Sequence, residues 1–289
     1  MSGARRAVRA VRETPSSAPS VESFIERVRR SEKFGEDVVW AATVPAEPAA
    51  YGTLSGPLPP ALQRALGALG IERLYAHQAE AIDRVHEGRD VLAVTPTASG
   101  KSLIYLLPTF EAALRRPGSR ALYLFPYKAL AQDQLQGIEE LARAAAAHGG
   151  LVPAEADGLP GTGGRPVSAA IYDGDTPDSR RRKIKADPPD ILITNPDMLH
   201  LGILAHHDDW RAFFENLDTV VLDELHVYRG IFGSHLYHIL KRLERVAGLH
   251  GRVPRYIASS ATIANPGGLG EALTGRPFVV VEQIGRAHV

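Results

Sequence analysis

A glycine, a lysine and a serine follow a short apolar run, and these residue types at this spacing can bind phosphate. The run DVLAV is followed directly by TPTASGKS, residues 95–102. Backbone N–H groups of such a loop can surround an anion, the ammonium of Lys101 can reach the β- and γ-phosphates of a nucleotide, and the hydroxyl of Ser102 can bind Mg²⁺. The full phosphate-loop pattern begins with glycine, where this chain has Thr95. The segment alone is therefore consistent with a nucleotide-binding loop or with a polar turn between a strand and a helix.

Two adjacent acids, Asp223 and Glu224, end another apolar run, TVVL. Carboxylates buried at the end of a strand are unfavourable unless they bind a cation or a water. In a nucleotide site, Asp223 would hold Mg²⁺ through its waters and Glu224 would polarise the water that attacks the phosphate. The alternative is that Asp223 caps a helix. The phosphate-loop pattern upstream favours the catalytic interpretation.

The segments that must position these residues alternate between strand and helix patterns. Short apolar or β-branched runs occur at VLAVT, ALYLF, SAAIY, ILIT, TVVLD, RYIASS and PFVVV, and most are separated by segments of helical periodicity. Such runs predict an α/β fold, in which a parallel sheet carries helices on both faces. Ligands of such folds bind at the carboxyl ends of the strands. TPTASGKS lies at such an end and begins a helix whose dipole would face an anion, which favours the phosphate-loop interpretation.

The composition narrows the class of protein. The chain has 289 residues, with 33 Lys and Arg against 33 Asp and Glu, so the net charge does not indicate a nucleic-acid partner, although a local basic stripe would suffice. The absence of cysteine excludes disulfides and cysteine-ligated zinc in this chain. The sequence contains neither an apolar stretch of about 20 residues nor the apolar core of a secretory signal. We therefore expect a soluble, cytoplasmic protein without a membrane partner.

Further short motifs occur in an order that is typical of one enzyme family. LYAHQ precedes the phosphate loop, FPYKALAQDQ, YDGDT and ITNPDML follow it, DELH contains the two acids, and SSAT comes last. In this order, over residues 74–262, the motifs resemble the first motor domain of superfamily 2 helicases, whose phosphate loops often lack the first glycine. TPTASGKS, ALAQDQ, TNPDMLH and DELHVYRGIFGSH resemble one branch, the mitomycin repair factor A helicases of bacteria and their fungal relatives, which act on DNA from 3′ to 5′. Tyr127, where Thr or Arg is commoner, and Leu225, where Val is frequent, depart from the pattern without removing a chemical group from the site.

The resemblance implies a RecA-like three-layer fold, the cofactors ATP and Mg²⁺, a single-stranded or partly duplex DNA partner, and specific roles for individual residues. Lys101, Asp223 and Glu224 would act in catalysis. His226 would link the nucleotide to SSAT by bonding Ser260 or Thr262, with a plain surface histidine as the alternative. Gln78 would bond the adenine edge. The other expected nucleotide contacts form the phosphate loop: Thr95, Pro96, Thr97, Ala98, Ser99, Gly100, Lys101 and Ser102. The expected nucleic-acid contacts are Pro126, Lys128, Gly174, Thr194 and Asn195. Small polar residues such as Thr194 and Asn195 suit sequence-independent contacts with phosphates.

The resemblance also predicts the domain organisation. We expect a disordered basic leader over residues 1–20, with a transit peptide as the alternative, and a short helical segment over 21–73. The ATP-binding, RecA-like domain would occupy residues 74–283, interrupted by a mobile Gly/Pro-rich loop over 148–166. IGRAHV, the last six residues, follows the final strand without a turn signal and matches the translation of a common sequencing adapter, so we expect a non-native tail at 284–289. The second motor domain would then be missing, and the chain would be a fragment.

Other segments and functions stay open at the level of sequence. SRRRKIK, residues 179–185, would either contact nucleic acid or form a solvated helix face balanced by the aspartates at 173, 175, 178 and 187. AHHDDW, residues 205–210, has metal-ligand residue types, but adjacent histidines rarely converge on one ion, so no metal is expected there. The alternatives to a DNA helicase are an RNA helicase motor domain, which DELH and YRGIFGSH disfavour, and a nucleotide-gated nucleic-acid-binding module without turnover.

Overall fold

The computed structural model describes residues 21–35, 37, 49–96, 100–148 and 166–282. The expected leader, the expected tail and most of the Gly/Pro-rich loop lie outside these residues. Contacts within the chain define two units, residues 1–46 and 47–289. The described part of the first unit contains helix α1, Val21–Arg29, which buries none of its side chains. All further elements belong to the second unit.

The strands and helices of the second unit follow one another in the alternation that the sequence predicts. The strands are β1 Tyr51–Gly52, β2 Leu74–Tyr75, β3 Val91–Val94, β4 Arg120–Leu124, β5 Ala169–Ile171, β6 Ile191–Thr194, β7 Leu217–Leu222, β8 Arg255–Ser260 and β9 Val279–Glu282. The helices are α2 Pro60–Ala68, α3 Ala76–His86, α4 Ser102–Arg115, α5 Lys128–Ala147, α6 Asp178–Ala186, α7 Pro196–Met198, α8 Arg211–Phe214, α9 Gly230–Leu249 and α10 Pro266–Thr274. A π-helix spans Leu199–Ile203, and 3₁₀ helices span Leu204–Trp210 and Leu225–Val227.

Seven of the strands form one sheet in the order β5-β6-β4-β7-β8-β3-β9, and every neighbouring pair is parallel. Each of these strands overlaps one of the seven apolar runs noted in the sequence, so the predicted parallel α/β sheet is confirmed. β1 and β2 form a separate antiparallel pair.

The central strands are buried on both faces because successive side chains point to opposite sides of the sheet. On β3, Val91 and Ala93 belong to the core that α2–α5 cover, whereas Leu92 and Val94 belong to the core that α8–α10 cover. Burial on both faces explains why these strands are continuous apolar runs rather than alternating ones. The result is the three-layer arrangement expected of a RecA-like domain.

The strand order places the two groups of chemically active residues side by side. TPTASGKS follows β3 and DELH follows β7, while β8 lies between those two strands and ends in SSAT. Because all three strands are parallel, their carboxyl ends lie on the same edge of the sheet. The phosphate loop, the acidic pair and SSAT therefore meet at one place.

Candidate nucleotide-binding and nucleic-acid-binding sites

The phosphate loop begins at a strand and ends at a helix, as its sequence predicts. Thr95 is fully buried, and its backbone N–H donates to the Ser260 carbonyl on β8 over 3.1 Å. Pro96 is half-buried, and residues 97–99, which include the predicted contacts Thr97, Ala98 and Ser99, lie outside the described residues. Ser102 is the first residue of α4, so the helix N-terminus faces the loop and favours an anion there.

Gly100 and Gln78 are in direct contact, which limits what Gln78 can bind. The Gln78 amide donates from Nε2 to the Gly100 carbonyl over 2.9 Å, and its Oε1 accepts from the Tyr75 backbone N–H over 2.9 Å. Gly100 has φ +71°, and a Cβ there would lie 2.7 Å from Gln78 Nε2, so only glycine fits. The amide keeps one hydrogen and one lone pair for an adenine edge, but Gln78 is only 2% exposed. The Gln78 side chain is therefore not open to an adenine edge in this structure.

Lys101 and Glu224 form an ion pair across the site. Lys101 Nζ lies 3.3 Å from Glu224 Oε1, and both side chains are largely buried. The ammonium from the phosphate loop thus already lies beside the second acid of DELH. An incoming phosphate would compete with Glu224 for this cation.

Asp223 is a buried carboxylate with one side-chain donor. It is 5% exposed and accepts a hydrogen bond from the hydroxyl of Ser259. Burial raises the pKa of Asp223, and the negative charge of Glu224 raises it further, while the Ser259 hydrogen bond and the charge of Lys101 lower it. Carboxylate and hydroxyl oxygens are the ligands that Mg²⁺ prefers. Asp223 and Ser102 therefore fit a magnesium ion, whose charge would relieve the unfavourable burial of the carboxylate.

Glu224 is held in an uncommon backbone conformation. Its φ of 51° and ψ of 48° are left-handed, and among the described residues it is the one non-glycine residue with positive φ. Such a conformation costs on the order of 1 kcal/mol and tends to occur at functional sites. Glu224 Oε2 is buried and accepts no hydrogen bond from any described residue. The carboxylate therefore keeps one acceptor atom to which no described residue donates.

His226 contacts both Glu224 and the end of β8, but through a partner that differs from the expected ones. Its Nδ1 accepts from the backbone N–H of Ala261 over 3.2 Å, between the predicted partners Ser260 and Thr262. The Ser260 hydroxyl instead donates to the Ala261 carbonyl, and Thr262 lies exposed beyond the end of the strand. Since Nδ1 is an acceptor here, its 3.2 Å contact with Glu224 Oε2 is not a hydrogen bond from neutral His226. The predicted connection to SSAT exists, but it runs through the main chain.

The sequence over this site matches a known protein family. The model of the DEAD/DEAH box helicase family matches residues 75–267, two thirds of the chain. The chain belongs to this family. It is 44% identical over 224 residues to the uncharacterised ATP-dependent helicase YprA of Bacillus subtilis, covering 78% of this chain and 27% of YprA. It is 38% identical over 256 residues to the ATP-dependent helicase hrq1 of Schizosaccharomyces pombe, covering 87% of this chain and 22% of hrq1. The chain thus spans about a quarter of the length of these relatives.

Solved structures similar to this DEAD/DEAH box domain include the DUF1998 helicase MrfA. The structure of MrfA bound to DNA matches with a TM-score of 0.78 and 40% identity, covering 92% of this chain and 35% of that one. The structure of MrfA bound to DNA and AMPPNP matches with a TM-score of 0.74 and 41% identity, covering 83% of this chain and 31% of that one. The expected resemblance to the mitomycin repair factor A helicases is confirmed. Among the described residues, no helix is long and apolar enough to span a membrane.

The predicted nucleic-acid contacts of the helicase domain lie together at three neighbouring strand ends. Pro126 and Lys128 follow β4, Gly174 follows β5, and Asn195 follows β6. Because these strands are adjacent in the order β5-β6-β4, the four residues lie on one part of the sheet edge, beside the nucleotide site. Lys128 and Gly174 are exposed and Pro126 and Asn195 are half-buried. Lys128 Nζ pairs with Asp175 Oδ2 at 2.5 Å, which joins α5 to the YDGDT loop.

Thr194 differs from the other four candidates. It is 2% exposed, and its hydroxyl donates to the Tyr172 carbonyl over 2.6 Å, so the single hydroxyl hydrogen is already used inside the protein. The expected donation from this hydroxyl to a DNA phosphate is therefore not available in this structure. Asn195 uses Oδ1 to accept from the Met198 N–H over 2.9 Å as the N-cap of α7. Its amide nitrogen is the group that could donate to a phosphate.

The basic segment at 179–185 has mixed roles. Arg181 donates to the carbonyls of Thr176 and Asp173 over 2.8 Å each, so it holds the YDGDT loop rather than facing a ligand. Lys185 pairs with Asp209 over 2.9 Å. The remaining cations of α6, at 180, 182 and 183, are exposed, as expected of a solvated face. Over the described ranges, including AHHDDW, no group of three or more His, Cys, Asp or Glu residues could hold a metal ion.

Sequence reasoning missed Ser259, which binds Asp223. The SSAT motif was the available signal, but the contact depends on β8 lying next to β7. The amino-acid sequence does not show which strands are neighbours, so this contact could not be predicted from it.

The buried charge of Asp223 predicts that Asp223→Asn will stabilise the metal-free chain at neutral pH. A carboxyl whose pKa is raised on folding lowers the free energy of unfolding when it is ionised. This effect disappears as the pH falls toward 3.8, the ordinary pKa of an aspartate. We expect a higher melting temperature for the variant at pH 7, by ~2–4 °C for each kcal/mol gained, and a smaller difference near pH 4. The Mg²⁺ dependence of nucleotide binding should be lost in the same variant.

Thermal unfolding followed by circular dichroism at both pH values would measure this effect. Asp187→Asn is the control, because it removes the same charge from an exposed position at the end of α6. A melting temperature of Asp223→Asn at or below that of the parent at pH 7 would contradict the prediction.

Proposed function

We propose that this chain is the N-terminal motor domain of an ATP-dependent DNA helicase of the repair type, which moves 3′ to 5′ and acts in the cytoplasm at the nucleoid. In this proposal residues 74–283 form the ATP-binding domain and 21–73 a short helical segment in front of it, of which residues 47–73 belong to the same compact unit as the domain. A second RecA-like domain, normally in the same polypeptide, would complete the ATP site. The domain would bind ATP–Mg²⁺ and the backbone of single-stranded or partly duplex DNA.

The observation that carries the proposal is the convergence of Lys101, Asp223 and Glu224 at strand ends on one edge of the sheet. Lys101 lies 3.3 Å from Glu224, and Asp223 is held by Ser259 on the strand between the two. One cation, one carboxylate suited to a metal, and one carboxylate with a free oxygen are the groups that phosphoryl transfer to water requires. The similarity to MrfA, solved with DNA and AMPPNP, supports the same assignment.

Hydrolysis would proceed through exchange of partners at Lys101. When the phosphates bind, Lys101 leaves Glu224 for the β- and γ-phosphates, which frees the carboxylate to orient a water. Glu224 would accept a proton from this water while the water oxygen forms a bond to the γ-phosphorus. The bond between the γ-phosphorus and the β–γ bridging oxygen would break, and that oxygen would leave with ADP. Magnesium, held by Ser102 and by Asp223 through water, would neutralise the phosphate charge.

The contact between His226 and Ala261 provides the connection to movement. His226 lies 3.2 Å from Glu224 and accepts from the main chain of SSAT, so a shift of Glu224 on hydrolysis would alter the position of that segment. A nucleotide-gated binding module without turnover would use the same contacts. The catalytic interpretation is favoured by Glu224, whose strained backbone and free oxygen are unnecessary for binding alone.

The choice between DNA and RNA can be tested on a full-length parent enzyme that contains this domain. We expect single-stranded DNA to stimulate ATP hydrolysis more strongly than RNA of equivalent sequence, and a duplex with a 3′ single-stranded tail to be unwound in preference to one with a 5′ tail. Steady-state phosphate release and a fluorescence unwinding assay would measure these effects. Stronger stimulation by RNA would favour the alternative of an RNA helicase motor domain and contradict the proposal.

A further inference from the structure

A buried tyrosine joins the nucleotide site to the helix that carries a predicted nucleic-acid contact. Tyr105 lies one turn after Ser102 on α4 and is 1% exposed. Its hydroxyl lies 2.9 Å from Gln134 Oε1 on α5 and 3.3 Å from Ser102 Oγ. The ring is fixed by an edge-to-face contact with Tyr123, with 5.3 Å between the centroids. This hydroxyl therefore lies between the predicted magnesium ligand and the second helix.

The numbers of hydrogens and lone pairs on these groups determine which group donates in each of the two hydrogen bonds. A tyrosine hydroxyl has one hydrogen, and the shorter distance assigns it to Gln134 Oε1, which can only accept. The lone pairs of the Tyr105 oxygen are then available to the Ser102 hydroxyl.

A serine hydroxyl that binds a cation must direct its hydrogen away from the cation. The Tyr105 oxygen is an acceptor at hydrogen-bonding distance from Ser102, and this geometry would turn the lone pairs of Ser102 toward the magnesium position. Gln134 lies on α5. The first residue of this helix is Lys128, whose side chain reaches Asp175 in the YDGDT loop. A continuous path thus leads from the magnesium ligand to the predicted nucleic-acid contacts.

We propose that Tyr105 is a positioning residue that orients Ser102 for Mg²⁺ and, through Gln134, connects magnesium–nucleotide binding to the position of α5. The inference rests on the proposed function, because it needs Ser102 to bind the metal. In this proposal Tyr105 would act without contacting the nucleotide or the nucleic acid. Its effect passes through Ser102 on one side and Gln134 on the other.

The test is a Mg²⁺ titration of nucleotide binding to this chain with the variant Tyr105→Phe. A fluorescent ATP analogue reports binding, and each titration is repeated in EDTA. We expect the Mg²⁺ concentration for half-maximal binding to rise about three- to tenfold, as the loss of one hydrogen bond predicts, with unchanged affinity in EDTA. A merely structural role would weaken binding in both conditions alike.

Tyr123→Phe is the matched control. It removes the same atom from a second buried tyrosine, whose hydroxyl lies 2.6 Å from Thr109 Oγ1 and 3.4 Å from the Tyr105 carbonyl. We expect its Mg²⁺ dependence to match that of the parent. Equal Mg²⁺ dependence in Tyr105→Phe and Tyr123→Phe would overturn the inference.

Gln134→Leu tests the second half of the path and does not alter the tyrosine. In the parent chain, Mg²⁺ and the nucleotide analogue together should change the affinity for single-stranded DNA, and in Gln134→Leu this change should fall at least about twofold. An unchanged effect would overturn the connection to α5. A parent chain that binds no nucleotide in Mg²⁺ would instead refute the proposed function itself.

Discussion

Alone, the 289-residue chain should bind ATP but hydrolyse it at least about a thousandfold more slowly than a full-length parent helicase. The proposed function places Lys101, Asp223 and Glu224 on this domain and the arginine finger on a second one, and an arginine finger contributes roughly 10³ to 10⁵ in rate. DNA binding by the chain should be weak and strongly dependent on salt, since its predicted contacts are with phosphates.

Phosphate release with and without single-stranded DNA would measure this turnover, with the full-length parent assayed in parallel. The Glu224→Gln variant of the chain is the control, because it should differ from the chain only in hydrolysis and so reports contaminating ATPase. Robust DNA-stimulated hydrolysis or strand separation by the chain alone would contradict the assignment of a single motor domain.

Glu224→Gln in the full-length parent should leave ATP binding intact and stop hydrolysis. Glutamine keeps the size of the side chain and can occupy the same left-handed backbone position, but it cannot accept a proton from water. Loss of a general base lowers the rate by about 10²- to 10⁴-fold. The variant also frees Lys101 from its ion pair across 3.3 Å, so nucleotide affinity should be unchanged or higher.

Single-turnover hydrolysis and a separate equilibrium binding measurement would distinguish these two effects. Glu215→Gln, a partly exposed acid at the end of α8, is the matched control and should retain parental turnover. Parental turnover in Glu224→Gln would remove Glu224 from its role as the base. Loss of binding in this variant would indicate that the carboxylate helps to build the site.

The fold was predictable from sequence because the central strands of the large sheet are buried on both faces. A run such as VLAV has to supply side chains to both cores, so it is apolar throughout, and parallel strands of this kind need helices on each side. The order of the strands was not predictable, because β3 pairs with β8 and β9 rather than with its sequence neighbour β4. That pairing depends on long-range packing.

The parts of the candidate site that depend on strand ends were predictable, and those that depend on side-chain direction were not. Lys101 and Glu224 both follow carboxyl ends of parallel strands, so their convergence could be expected. Thr194 is the last residue of β6, and its side chain is buried, a direction that composition alone does not fix. The contact of His226 with Ala261 depends on how the main chain leaves β8. The conformational propensity of glutamate does not predict the left-handed backbone of Glu224, since glutamate rarely adopts this conformation.

We expect Lys101, Ser102 and Asp223 to form an ATP–Mg²⁺ site on this chain. Calorimetric titration of the purified chain with a non-hydrolysable ATP analogue in Mg²⁺ would measure this binding. Lys101→Ala is the decisive comparison, and Lys183→Ala, an exposed lysine on α6, is its control. Binding by the chain and by Lys183→Ala should depend on Mg²⁺, and affinity should be at least about tenfold weaker in Lys101→Ala, because no other ammonium of the loop can replace it. Equal affinity in Lys101→Ala and the parent, or no binding by the parent in Mg²⁺, would contradict this expectation.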